Sequence, residues 1–433
     1  MKVLLIGQGA REHAIAESLV KSGARLYAYM KTRNPGISRL SEDVKIGSLN
    51  NFDDIVDYAK NVDFCIIGPE DPLAEGLVDK LEDSGVQCVG PCKTVARLES
   101  SKSFTRLLLT KYNIPGNLEY RVFENMNNVR KYLQEHGNIV VKPDGLTGGK
   151  GVKVLGEHLN NIVEAERYIE EIVTSGSKAV IEEKLDGEEF TLQAFVDGEH
   201  VVGSPLVQDH KRAYEGDNGP NTGGMGSYSC PDHSLPFIDS SYIPVALDIL
   251  KKTVKAVKKE TGISYKGILY GQFMLTRNGL RLVEFNSRFG DPEAINILPI
   301  LQTNFTDICL KILDGNLSEK HVAFENKATV VKYLAPVGYP VSPVPTEVNV
   351  DEQEIENLGG RVYYASVSEK NGKILTTTSR SIAVLGVGSD LEQAERIAES
   401  SICYIGGELF HRRDIGTRKL IQKRIDHMKQ LLG

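Results

Sequence analysis

A multidomain chain combining α/β and α+β units is expected from three features. At 433 residues the chain is too long for one hydrophobic core, and roughly two to four domains are anticipated. Residues 1 to about 100 alternate strand and helix patterns, which implies a parallel sheet with ligands at its strand C-termini. From Lys327 onward strands come first and helices follow, the order of a separate α+β unit.

Composition narrows function before any motif does. Hydrophobic residues make up 41% and charged residues 25% of the chain, ordinary values for a globular protein. The net charge of −7 supplies no global field for nucleic acid, so anionic ligands must be met by local clusters of Lys and Arg. No apolar run approaches membrane-spanning length, and the N-terminal VLLIG is too short and strand-like for a signal peptide. The six cysteines are scattered, lack the His/Cys company of a zinc site, and read as reduced core thiols of a cytoplasmic protein. Small-molecule partners are expected, without nucleic acid or membrane, for a monomer or small homo-oligomer.

From the N-terminus, KVLLI forms a buried strand running into Gly7-Gln8-Gly9, and AREHAIAESLVKSG has helical apolar spacing. Free amides at that helix start make an anion site, with Gly9, Arg11 and His13 as candidate contacts to a ligand phosphate. Two details oppose a nicotinamide dehydrogenase. Glu12 stands where G-x-G-x-x-G needs its third glycine, and the second strand, ARLYAYMK, ends in Lys31 without the ribose-binding acid. The helix around Phe52–Lys60, the strand FCIIG, the helix AEGLVDKLEDSG and the strand VQCVG continue the alternation and place Gly68–Leu73 at a strand end.

Lys102 opens a helix, SKSFTRLLLTKYNI, that Pro115 stops. NIVVKPDGLTGGKGVKVL then puts Lys142 at a strand end and Lys150 in a glycine-rich loop between two strands, where amides and ammonium groups can close on phosphate. It is not a Walker loop, since Lys150 is followed by Gly151 and another strand; strand, loop and strand over a triphosphate imply a flexible lid. After the helix NNIVEAERYIEEIVTSG, the strand AVIEEKLDGEEFTLQAFV offers Glu182, Glu183, Lys184 and Leu185 as an edge able to read adenine, and Glu189 for ribose hydroxyls. On the residues alone this is a charged hairpin.

Asp209–Ser229, DHKRAYEGDNGPNTGGMGSYS, shows neither helical period nor strand alternation, and a loop of this length inside a domain is usually functional. Lys211 and Arg212 bring charge, Asp217, Asn221 and Thr222 bring polar groups, and Gly223 and Gly224 free backbone donors. A helix, SYIPVALDILKKTVKAVKKETG, leads to KGILYGQFMLTRNGLRLVEF, a hairpin turning at Asn278-Gly279. Glu284 and Asn286, two apart on a strand, share a face, and Gln272 returns to their level as a third oxygen, a set suited to a hard divalent cation. Arg288 lies two further along and can hold phosphoryl oxygens. AINILPILQTNFTDICLKILDG reads as helix, then ATVVKYLA, GRVYYASV and SIAVLGVG as strands, with LEQAERIAESSIC and RKLIQKRIDHMKQLL as helices; no chemistry is evident there.

Taken together, GQGAREHA, PDGLTGGKGV, HKRAYEGDNGPNTGGMG, VEFNSRFGDPE and FHRRDIG resemble, in order and over nearly the whole chain, the signature blocks of the phosphoribosylamine–glycine ligase family of ATP-grasp enzymes. The resemblance implies a Rossmann-like pre-ATP-grasp domain over 1–101, a central ATP-grasp domain over 102–120 and 188–326, a lid over 121–187 and a C-terminal α+β domain over 327–433. It implies ATP-dependent ligation of glycine to 5-phosphoribosylamine in purine biosynthesis, with Mg²⁺ or Mn²⁺. Lys102, Lys142 and Lys150 would then hold ATP phosphates, Glu182 and the Glu183–Leu185 backbone adenine, Glu189 ribose, and Glu284, Asn286 and Gln272 the metal. Lys211 and Arg288 would serve the chemistry, and Gly9, Arg11, Lys211, Arg212, Asp217, Asn221, Thr222, Gly223, Gly224 and Asp291 the substrates. Gln272 departs from the acid that many relatives in the wider superfamily carry, and Ala10 from a more usual glycine.

Overall fold

The computed structural model describes residues 1–148 and 151–433. Lys150 therefore lies outside the described residues.

The N-terminal sheet has five parallel strands: Ser41–Ile46, Arg25–Met30, Lys2–Ile6, Phe64–Ile67 and Gln87–Val89, in that spatial order. Lys2–Ile6 and Phe64–Ile67 are near-continuous apolar runs because helices cover both faces. Two features escape the periodicity argument. Ser41–Ile46, SEDVKI, is an edge strand too polar to read as one. The helix expected to begin at Ala74 starts at Glu70 and is broken in two by Gly76, whose φ of +94° admits the left-handed turn.

The expected single strand AVIEEKLDGEEFTLQAFV is two strands in different sheets. Ala179–Glu183 joins Tyr120–Phe123, Ile139–Pro143 and Lys153–Val154 in an antiparallel lid sheet with its own small core around Val141, Ile169 and Ile181. Gly187–Asp197 begins a central antiparallel sheet with Val201–Gly203, Lys266–Thr276 and Gly279–Asn286. The central hairpin pairs Thr276 with Gly279, so its turn residues are Arg277 and Asn278, one position before the expected pair. An irregularity between Gln272 and Phe273 leaves Gln272 opposite Glu284, and Tyr270 opposite Asn286.

Asp209–Ser229 is not structureless. It contains a small hairpin, Arg212–Tyr214 with Asn218–Asn221, and the strand Gly226–Ser229. That strand pairs with Ala328–Pro336 in a sheet continuing through Ile382–Gly388 to Gly360–Tyr364. The C-terminal unit expected to be separate at 327 thus shares a sheet with the central segment. Gly226 has a φ of +148°, and a side chain there would overlap the Val331 carbonyl, so the glycine permits this close strand pairing. No helix among the described residues is long and apolar enough to cross a membrane.

Candidate active site

The central hairpin, the lid sheet, the 209–229 segment and the C-terminal unit enclose a cavity of about 720 Å³, within the range of small-molecule sites. Lys102, Lys142, Glu182–Leu185, Glu189, Arg11, Lys211, Arg212, Asp217, Asn221, Thr222, Gly223, Asp291, Gln272, Glu284, Asn286 and Arg288 all line it. Gly9 and Gly224 do not.

Gly9 is kept from the cavity by its own helix. Its N–H donates to Glu12 Oε2 at 2.5 Å, and Glu12 packs against Gly7, Gly9 and Gly68 so closely that a Cβ at any of them would collide with it. The anion site expected at this helix start is filled by the chain's own carboxylate. His13 is also diverted, accepting the Tyr364 N–H at Nδ1 (3.0 Å). Gly224 instead presents its carbonyl to Arg380 Nη1 at 2.7 Å.

The Glu284 side chain has no hydrogen-bond or ion-pair partner among the described residues. Burial would raise its pKa, but the charges of Lys211, Lys142, Lys102 and Arg288 hold it below the usual carboxylate range. Asn286 is oriented by its surroundings: with its amide nitrogen donating to Glu99 Oε1 and the Phe285 carbonyl, both at 3.1 Å, its oxygen turns away from them. Gln272 is committed elsewhere, its oxygen accepting from Lys211 Nζ at 2.7 Å and its nitrogen donating to Glu189 Oε2 at 2.5 Å. Burial opposes the Lys211 charge, yet Glu189 and Glu284 raise it to about 12.

The lid-side residues are similarly engaged. Glu182 is buried between Arg106 Nε (2.7 Å) and Lys142 Nζ (2.6 Å). Lys102 donates to the Gly145 carbonyl at 2.7 Å, and burial lowers its pKa. Glu183 and Lys184 spend their N–H groups on the carbonyls of Glu119 and Asn138. Glu157, on the lid, accepts from both Lys184 (2.9 Å) and Arg212 (2.8 Å) and so bridges the lid to the 209–229 segment.

Arg288 is fixed between Glu70 Oε2 (3.1 Å) and Glu99 Oε1 (3.0 Å), two carboxylates from outside its own motif. Arg288 first, then Arg11, overcome burial to hold Glu70 at about 2; at Glu99 burial wins and pushes the carboxyl to about 7. Asp217 is an anchor more than a free ligand, bound to Arg412 (3.1 Å) and Arg424 (2.6 Å) of the C-terminal unit. Asp291 receives Tyr333 and Arg380 from the same unit. Arg380, absent from the sequence reading, lines the cavity because strand pairing brings a distant segment across, and no local motif announces that. Asp209 was legible only as part of the loop. It is half-buried near Glu293, its buried Oδ1 has no partner among the described residues, and desolvation followed by repulsion from Glu293 raises its pKa.

No cluster of three or more His, Cys, Asp or Glu side chains among the described residues forms a metal cage. One carboxylate and one or two amide oxygens in a cation-lined cleft suit Mg²⁺, which keeps water and phosphate in most of its shell.

Three models of one family match in chain order. The phosphoribosylglycinamide synthetase N domain covers residues 1–99, its ATP-grasp (A) domain 100–294 and its C domain 329–418. A phosphoribosylamine–glycine ligase of Methanocaldococcus jannaschii is 52% identical, aligned over 100% of both chains. One from Pyrococcus horikoshii is 49% identical over 100% of this chain and 98% of its own. The crystal structure of phosphoribosylamine–glycine ligase from Thermotoga maritima superposes with a TM-score of 0.82 at 30% identity, covering 96% of this chain and 100% of that one. A biotin carboxylase from Campylobacter jejuni superposes at 0.72 over 99% of this chain and 95% of its own with 12% identity, a likeness of fold alone. By sequence, domain order and fold, the chain belongs to the phosphoribosylglycinamide synthetase family of ATP-grasp proteins.

Proposed function

We propose that this chain joins glycine to 5-phosphoribosylamine at the expense of ATP, giving glycinamide ribonucleotide, ADP and phosphate in purine biosynthesis, by way of glycyl phosphate. One observation carries the reading: Glu284, uncommitted among the described residues, faces a cavity whose walls bring Lys102, Lys142, Lys211 and Arg288 around it. Triphosphate and metal are the ligands that satisfy both signs of charge together.

Glu284 and Asn286 would hold Mg²⁺ or Mn²⁺, which supplies charge neutralisation at the phosphates; Gln272 would join them only by giving up Lys211. Lys102 and Lys142 meet phosphate oxygens, and Lys150 is assigned the same task from its sequence position. Adenine lies against the Glu182–Leu185 edge, read by its carbonyls and the Leu185 N–H, with Glu189 at the ribose. A carboxylate oxygen of glycine attacks the γ-phosphorus and ADP departs. The amine of phosphoribosylamine then adds to the acyl carbon, loses a proton and expels phosphate. Lys211 and Arg288 balance the charge passing through these steps. The Asp209–Glu293 pair gives the glycine ammonium an anionic partner. No protein nucleophile enters.

Glycine labelled with ¹⁸O in its carboxylate tests the intermediate. One labelled oxygen should appear in the phosphate released per turnover; unlabelled phosphate would sink glycyl phosphate. ADP release that proceeds equally well with other carboxylic acids would sink the choice of substrate. The free state of all six cysteines, four of them buried, supports a reducing cytoplasm as the working compartment. We infer a monomer or small homo-oligomer.

A further inference from the structure

Arg106 is assigned to no substrate above, yet it touches both walls of the cleft. It lies on the helix Lys102–Lys111 and is 2% exposed. Its Nε donates to Glu182 Oε1 (2.7 Å), Nη1 to the Leu282 carbonyl (3.0 Å) and Asn117 Oδ1 (3.2 Å), and Nη2 to the Val283 carbonyl (2.7 Å). Glu182 belongs to the lid sheet, whereas Leu282 and Val283 immediately precede Glu284. One planar fork therefore ties the lid strand to the strand that carries Glu284, which a lysine point charge does not reproduce.

The second oxygen of Glu182 is held by Lys142. On the ligase reading above, on which this inference rests, Lys142 has to leave Glu182 when nucleotide phosphates arrive. A buried carboxylate deprived of its only cation is strongly disfavoured, and Arg106 keeps this one paired throughout. Burial would raise the Glu182 carboxyl, but Arg106 and then Lys142 outweigh it and hold it at about 2. Glu182 thus stays ionised at the adenine edge while Lys142 changes partners. We propose that Arg106 is a positioning residue for the ligation, releasing Lys142 from Glu182 to phosphate and fixing the lid strand against the Glu284 strand.

Arg106→Lys keeps the cation and removes the paired Nη contacts. Arg106→Met combined with Glu182→Gln, compared with Glu182→Gln alone, removes the arginine without leaving a buried lone charge. Melting temperature, ADP binding by calorimetry, and kcat and KM for ATP and glycine are measured for each. Arg106→Lys should melt within a few degrees of the unsubstituted protein, raise KM for ATP about tenfold and leave KM for glycine unchanged. The double variant should bind ADP about tenfold more weakly than Glu182→Gln alone. ADP affinity and KM for ATP within twofold of their references in both folded variants would overturn the proposal. Absence of ADP binding by the unsubstituted protein would overturn the ligase reading itself, a result distinct from a loss confined to the variants.

Discussion

Glu284 is the side chain whose removal separates function from folding most cleanly. Its carboxylate has no hydrogen-bond or ion-pair partner among the described residues, and the surrounding cations that keep it ionised stabilise the fold only from a distance. Glu284→Gln keeps the shape and discards the charge. The expected result is a melting temperature lowered by a few degrees at most, with ADP formation reduced by about a hundredfold to a thousandfold. Near-normal turnover would remove the metal assignment. This residue was legible because strand alternation alone puts positions 284 and 286 on one face. Glu182 and Asp217 show the opposite case. Their sequence neighbourhoods suggested ligands, whereas the fold commits them to Arg106 and Lys142, and to Arg412 and Arg424, partners more than 35 residues away with no local signature.

The strand, glycine turn and helix at the N-terminus show why a motif needs its packing before it can be read. KVLLI and the helical spacing after it are local facts, and the structure keeps both. What the turn holds depends on Gly68, which lies on another strand's exit and leaves room for Glu12 to fold back onto the Gly9 amide. A Cβ at position 68 would collide with that carboxylate. Gly68→Ala should therefore cost about 1–3 kcal/mol in denaturant unfolding, through overpacking and loss of the cap. Adding Glu12→Ala should cost less in the Gly68→Ala background than alone, since the displaced group is then the one removed. Strict additivity would show that Glu12 does not fill the turn. The same packing explains why a fluorescence titration with a nicotinamide dinucleotide should give no signal of binding. The long 209–229 segment was read as functional from its length and lack of period. Its hairpin closes within the segment, but Gly226–Ser229 also pairs with the distant Thr329–Lys332, so neither that pairing nor Arg380 beside it could be read locally.

The N-terminal sheet, the 293–317 helices and the C-terminal sheet share one hydrophobic core, while the lid packs around another. Polar contacts seal the first of these joints. Asn34 Nδ2 donates to the Tyr364 carbonyl at 2.8 Å, the Glu369 N–H to the Arg33 carbonyl at 3.0 Å, and the Tyr364 N–H to His13 Nδ1 at 3.0 Å. His13 stacks on Tyr364 and meets Tyr363 edge-on, and burial, with Arg39 nearby, lowers its pKa from 6.5 to about 3. A folded state that refuses a proton the unfolded chain accepts loses stability as pH falls below 6.5, and goes on losing it down to about 3. His13→Gln keeps an acceptor for the Tyr364 N–H and removes the titration. Glu99, shifted upward by burial, works in the opposite direction but is present in both proteins and cancels in their difference. Relative to His13→Gln, the unsubstituted protein should therefore lose about 2 kcal/mol of unfolding free energy between about pH 6.5 and pH 5. Parallel stability curves over that interval would mean that His13 takes up its proton in the folded state and that the joint between the N- and C-terminal units opens to water.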